Sequence, residues 1–285
     1  MGLQRGNPVY NPAHVSAKTG IPMDIVKRYA LPAFFLLAYL LSWYPWLLHL
    51  AHVTRGEGGL NPLGPFVAAL ILSGITGRWI SIKRLLKRLV EWRVGVRWYA
   101  FVLLLPAAIC VLVVSLNLLL GAPHPTAAQL AKWPEMPSRF LFIFLFIGLG
   151  EEPGWRGFAL PRLQQKYSEL GASLILAVFW AAWHLPLTAT ELKIQYVPQF
   201  LIGILSATVV HTWVFNRTKG SVLLQMIFHS AVNTVGAGYF FQMFSGADLV
   251  RLWWLFSAAW CLTAILAAAQ MHRTTVDRVV EPHPA

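Results

Sequence analysis

The chain has 285 residues, of which 57 % are hydrophobic and 12 % charged, with a formal net charge of +12. That charged share is about half of what a soluble globular protein carries, and the mean hydropathy is +0.57. A soluble enzyme, a disordered tail and a disulfide-rich secreted module are excluded, leaving an all-α polytopic membrane protein.

A membrane span needs about 20 apolar residues. Eight candidate spans follow in chain order: 30–50, 60–80, 98–120, 140–160, 171–188, 197–215, 220–243 and 249–270. The fourth is interrupted by charges and the fifth is short. The basic stretch from Arg78 to Arg97 includes a candidate amphipathic helix lying on the membrane surface. The whole chain, 1–285, reads as a single membrane domain without repeats. Cys110 and Cys261 stand singly in apolar runs, so they read as small core residues.

The cations set the expected orientation. With the N-terminus inside, 18 Lys and Arg fall on the inner side and 5 on the outer side (Arg55, Lys132, Arg139, Lys193 and Arg251). Both termini are therefore expected in the cytoplasm, in a plasma membrane. The positive charge is a topology signal, and no nucleic-acid partner is expected, because no basic domain interleaved with aromatic residues exists to carry one.

Ionisable groups at membrane depth are costly and usually mark a site. Of 11 acidic residues, nine fall in loops, tails or helix ends, and the other two are the adjacent Glu151 and Glu152. Glu152 and Arg156 are four apart with the acid first, which favours a helical ion pair and leaves Glu151 free. Pro153 and Gly154 are expected to break or bend the helix there. Three of the histidines fall within spans: His184, His211 and His229. Trp180 lies one turn before His184 and can wall its imidazole, while His229 and Asn233 share one helix face. His211 is read as a bridge between helices through a hydrogen bond.

Helical rise places these groups in one layer. Glu151 lies about 14 Å from the inner end of its span, His184 about 20 Å, and His229 and Asn233 about 14 and 20 Å. Water is expected to reach this layer from the cytoplasm. A carboxylate, two imidazoles and a carboxamide around a wet cavity suggest hydrolysis, with Glu151 as general base and His229/Asn233 as donors to an oxyanion. The same Glu151, His184 and His229 could instead ligate a divalent metal such as zinc. No H-E-x-x-H, G-x-S-G or G-x-G-D occurs.

The run Glu151-Glu152-Pro153-Gly154-Trp155-Arg156-Gly157 resembles the E-E-x-x-x-R signature of the CPBP family of intramembrane endopeptidases, which includes CAAX prenyl proteases. Trp180-x-x-x-His184 is similar to that family's F-x-x-x-H motif, with Trp in place of Phe. His229-x-x-x-Asn233 is similar to its last motif. The resemblance covers about residues 140–240, the expected catalytic core. It implies about eight transmembrane helices around a conical intramembrane catalytic cavity, and cleavage of a membrane-associated or prenylated CAAX-type peptide. It implies that Glu151 with His184 activates water, that His229 and Asn233 line the oxyanion hole, and that Glu152, Arg156 and Trp180 shape the site. No cofactor is favoured. The implied partners are a peptide or lipidated protein substrate and the lipid bilayer. Competing readings are a metal-dependent form of the protease, a proton-coupled transporter using the two glutamates, and an inactive immunity-type scaffold.

Overall fold

The computed structural model describes residues 23–54, 58–190 and 192–280. Both chain ends, whose cytoplasmic placement the charge pattern suggests, and Arg55 lie outside them. The described residues form helices and no strands: α1 (Met23–Leu50), α2 (Gly64–Leu89), α3 (Val96–Leu119), α4 (136–163), α5 (Glu169–Trp183), α6 (Val197–Arg217), α7 (Val222–Val235) and α8 (Gly246–Val280). Each corresponds to one of the eight expected spans.

Six stretches are long and apolar enough to cross a membrane: Lys27–Leu50, Gly64–Leu89, Val96–Leu119, Glu169–Thr190, Ile194–Arg217 and Gly246–Met271. The protein is an all-α, polytopic integral membrane protein. Its outward side chains agree with lipid as the solvent: Leu104 on α3 and Leu262 and Ile265 on α8 are all more than 60 % exposed. The other two expected spans depart from that pattern. Helix α4 carries the charged motif, and α7 has only 14 residues, about 21 Å long against a hydrocarbon thickness of about 30 Å. The second half of α4, from Gly148 on, and most of α7 pack in the interior, where neighbouring helices cover them.

Helix α2 kinks at Gly77 (φ −150°) and Arg78 (φ +52°, ψ −151°), where the predicted span gives way to the basic stretch. In α4 the helix does not break at Pro153. It runs on through two π-helical segments, Ile143–Gly148 and Pro153–Ala159. A proline lacks the N–H for an α-helical bond and crowds the preceding turn, and the wider π turn absorbs both defects.

Close approach of α2 to α4 depends on small residues. Gly150 and Gly154 lie four apart, so they share a face. A Cβ on Gly150 would sit 2.4 Å from the Pro62 carbonyl oxygen, and one on Gly154 would sit 2.5 Å from that of Pro65. Backbone-to-backbone approach of this kind is how membrane helices pack where apolar burial gives no net drive. On the other flank of α2, Asn61 Nδ2 donates to the Leu41 carbonyl at 3.1 Å, tying the α1–α2 connection to α1.

The buried side chains form two apolar clusters. One gathers Phe34, Trp155, Phe158 and Trp183 from α1, α4 and α5. The other gathers Cys110, Phe228, Leu252 and Trp260 from α3, α7 and α8. Cys110 is thus core, and Cys261 on α8 is half-buried.

Gly150→Leu should lower the melting temperature of the detergent-solubilised protein by several degrees, since overpacking against rigid backbone costs about 1–3 kcal/mol. Gly59→Ala, with nothing within 4 Å of its Cβ position, should leave it unchanged. Equal melting temperatures for wild type and Gly150→Leu would contradict the packing described.

Candidate functional site

The acidic pair sits at the middle of α4, in the short α-helical stretch Leu149–Glu152 between the two π segments. Glu152 and Arg156 are fully buried, and Glu151 nearly so. Arg156 Nη1 donates to Glu152 Oε1 at 2.9 Å, the i,i+4 ion pair expected from spacing. The same oxygen receives a second donor, His229 Nδ1 on α7, at 2.8 Å. A carboxylate oxygen that already holds a guanidinium is an acceptor, so His229 must carry its proton on Nδ1. Its Nε2 is then the free nitrogen: a lone pair in the neutral ring, an N–H donor in the imidazolium.

Trp180 does more than wall an imidazole. Its indole Nε1–H donates to Glu151 Oε2 at 2.7 Å, and its ring lies under the Arg156 guanidinium, 4.1 Å from the centroid. A phenylalanine would supply the ring and not the N–H. The sequence revealed an aromatic one turn from His184, whereas the bond to Glu151 needs the placement of α5 against α4. His184, just past the end of α5, donates Nδ1–H to the Trp180 carbonyl at 2.7 Å. A carbonyl only accepts, so the neutral ring presents a bare Nε2.

His211 does bridge helices: its Nδ1 meets Gln225 Oε1 of α7 at 2.8 Å, and its ring stacks on Phe228 at 4.4 Å. It also reaches the site, with its ring 6.5 Å from that of His229. Gln225, the residue that orients it, was not apparent from sequence, because a glutamine in an apolar helix has no motif around it.

Glu151, Trp180, His184, His211, His229 and Asn233 all line one cavity of about 820 Å³, toward the upper end of the range for ligand pockets, roughly 300–1,000 Å³. Glu152 and Arg156 stand behind its wall. The remaining lining is mostly apolar and aromatic, including Phe142, Phe200, Phe241 and Trp253.

The cavity is open at one end of the bundle only. On α4 the lining runs from Ser138 to Glu151 and stops; on α6 it runs from Phe200 to His211; on α7 it starts at His229. Beyond those points Trp155, Phe158, Leu224 and Phe228 close the bundle, each at most 1 % exposed. The cavity therefore opens toward the end of the bundle that holds the start of α4 and the turns around Pro62 and Gln242. The cation-rich Arg78–Arg97 stretch and the α6–α7 turn lie at the other end. The rise per residue measures depth along a helix and not which end the side chains leave open.

Among the described residues, no three His, Cys, Asp or Glu side chains are grouped as metal ligands would be.

Two comparisons bear on this arrangement. The family model described as Type II CAAX prenyl endopeptidase Rce1-like matches residues 133–235, a stretch that contains all of the motif positions named above. A protein of Methanococcus maripaludis (strain DSM 14266), CAAX prenyl protease 2, is 34 % identical over 102 residues, covering 33 % of this chain and 38 % of that relative. The likeness thus spans about a third of either protein and is confined to the helices that carry the acidic pair and the histidines. Residues 133–235 are thus similar to the Rce1-like CAAX prenyl endopeptidases.

Proposed function

We propose that this chain is an intramembrane endopeptidase that hydrolyses a peptide bond of a membrane-associated or prenylated, CAAX-type substrate with a water activated by Glu151 and His184. The observation that carries the reading is the set of free acceptor and donor atoms on one apolar cavity. Trp180 occupies one oxygen of Glu151 and leaves the other for water. The Trp180 carbonyl fixes His184 so that its bare Nε2 faces the same space. Water placed between them gives up a proton as its oxygen adds to the scissile carbonyl carbon. That proton then passes to the departing amine as the C–N bond breaks.

The developing oxyanion needs donors. The Asn233 amide offers N–H at any pH, whereas His229 offers one through Nε2 only as the imidazolium, because its Nδ1–H is held by Glu152. Glu152 and Arg156 therefore act through His229 and Trp180 and do not touch the substrate. The family description and the relative's printed name support the peptidase reading, and both speak of CAAX prenyl substrates. The wide apolar cavity suits an extended peptide carrying bulky or lipidated side chains. A proton-coupled transporter would leave the fixed tautomers of His184 and His229 without a purpose.

Glu151→Ala and His184→Ala should each lower kcat for a membrane-anchored or prenylated CAAX peptide by about 10²–10⁴-fold, the usual contribution of general acid–base catalysis. Asn233→Ala should lower it by about 10²–10³-fold, the cost of one oxyanion donor. The melting temperature in detergent is measured alongside, and wild-type proteolysis in folded Glu151→Ala and His184→Ala would sink the assignment.

Trp180→Phe separates the indole N–H from the ring. A hydrogen bond to a charged group contributes about 1.5–3 kcal/mol, so kcat should fall by roughly 10–150-fold with little change in KM. An unchanged kcat would show that Trp180 only fills space.

Chelation with EDTA or phenanthroline should leave the cleavage rate unchanged. Loss of activity restored by zinc would replace the water-activation scheme with a metal-dependent one.

A further inference from the structure

Two arginines sit where helix ends meet, and among the described residues no carboxylate pairs with either. Arg88 lies in the last turn of α2 and Arg162 in the last turn of α4. About one turn earlier these helices touch each other and α7. A Cβ on Gly157 of α4 would lie 2.7 Å from Leu85 Cδ1 of α2 and 3.3 Å from Val222 Cγ2 of α7. Arg88 then reaches the α6–α7 turn. Its guanidinium lies 5.5 Å from the Phe215 ring centre, and a Cβ on Gly220 would be 3.4 Å from its Nη1. Gly220 has φ +71°, so this left-handed position both suits glycine and leaves the guanidinium uncrowded. Arg162 lies over the Phe158 ring at 3.5 Å and donates Nη1 to the Phe158 carbonyl at 2.9 Å.

Both arginines are half-buried, and the charge of Arg88 acts on Arg162. Like charges drawn partly out of water repel more strongly than they do in it. Arg88 Nη1 is enclosed without an acceptor among the described residues. A charged donor left unpaired beside a second cation is costly unless an anion completes it. The guanidinium fork matches the oxygens of a phosphate two at a time.

The neighbouring surface indicates where such a phosphate comes from. Beyond the kink at Gly77 and Arg78, α2 exposes Trp79 and Ile80 together with Lys83, Arg84 and Lys87, and Trp92 is exposed just past its end. Lys83 lies 5.6 Å from the Trp79 ring centre, and Arg93 lies 5.3 Å from that of Trp92. Exposed tryptophans among basic residues suit the headgroup layer of a bilayer. Lys219 Nζ donates to the Arg93 carbonyl at 3.2 Å and Ser221 Oγ to that of Glu91 at 2.6 Å, which fastens this segment to the α6–α7 turn. A free phosphate ion has no use for the exposed indoles, whereas a lipid phosphate arrives with the interface they occupy.

We infer that Arg88 and Arg162 form a binding site for the phosphate group of an anionic phospholipid, at the end of the bundle away from the cavity mouth. The phosphate accepts from the free N–H groups of both guanidiniums and joins the ends of α2 and α4 to the α6–α7 turn. The site is separate from the cavity and does not depend on the chemistry proposed there.

The purified full chain in dodecyl maltoside, titrated with dioleoyl phosphatidylglycerol, should gain several degrees in melting temperature, because a ligand that binds only the folded state stabilises it. Dioleoyl phosphatidylcholine and inorganic phosphate at the same concentration should leave it nearly unchanged. Arg88→Gln and Arg162→Gln should each raise the apparent Kd for phosphatidylglycerol by about 10–150-fold, the loss of one hydrogen bond to a charged group. Lys83→Gln, which removes an exposed cation from the same segment, should raise it by about fivefold at most, the share of one surface charge. Either arginine variant suffices if the other does not fold. Equal weakening by Lys83→Gln would reduce the binding to general surface charge and overturn the inference. Wild-type protein that responds alike to phosphatidylglycerol and phosphatidylcholine, or as strongly to inorganic phosphate, overturns it as well.

Discussion

A carboxylate buried at membrane depth must have its charge answered, and Glu152 has it answered twice on one oxygen. Arg156 reaches Oε1 at 2.9 Å from the next turn and His229 at 2.8 Å from another helix. Taking ions out of water costs several kcal/mol each, and breaking such a pair from one side typically costs about 3–5 kcal/mol. The arrangement spends that cost on geometry. It joins α4 to α7, fixes the His229 tautomer, and holds the Arg156 guanidinium over Trp180, whose N–H in turn holds Glu151. The Glu151 carboxylate and the His229 ring are thus set by contacts that begin at Glu152, whereas His184 is held by the Trp180 carbonyl.

That polar chain is tolerable because α4 is built to be surrounded. Its glycines admit the backbone of α2 where any side chain would collide, and its π segments carry Pro153 without a break. The helix keeps its charges inward as a result, with its motif face against α2 and α7 instead of lipid. A straight α-helix with larger residues there would stand off from α2 and let water or lipid reach the ion pair from behind.

Much of this was legible in sequence for a physical reason: burial of charge in an apolar chain is rare enough to be conspicuous. Glu151, Glu152, His184 and His229 stand out against their surroundings, and the i,i+4 spacing of Glu152 and Arg156 implies their pairing on any helix. The eight helical segments follow from hydropathy, with α4 and α7 the least regular because they are covered by protein. What sequence could not carry is anything that depends on how helices meet. The indole N–H of Trp180 looks like one more aromatic until α5 is set beside α4. Gln225 orients His211 from another helix. The open end of the cavity depends on which side chains splay apart, so equal depths along three helices pointed to a shared layer and not to the end of the bundle that leads to it.

In the proposed chemistry a water molecule, activated by Glu151 and His184, attacks the peptide bond directly. Single-turnover cleavage of a membrane-anchored peptide in oxygen-18 water tests it, with mass spectrometry of both the product and the peptide containing Glu151. Direct attack predicts one solvent oxygen in the new product carboxylate and none in Glu151. Solvent label in the Glu151 carboxylate, with unlabelled product, would reveal a covalent acyl-glutamate route and contradict the account.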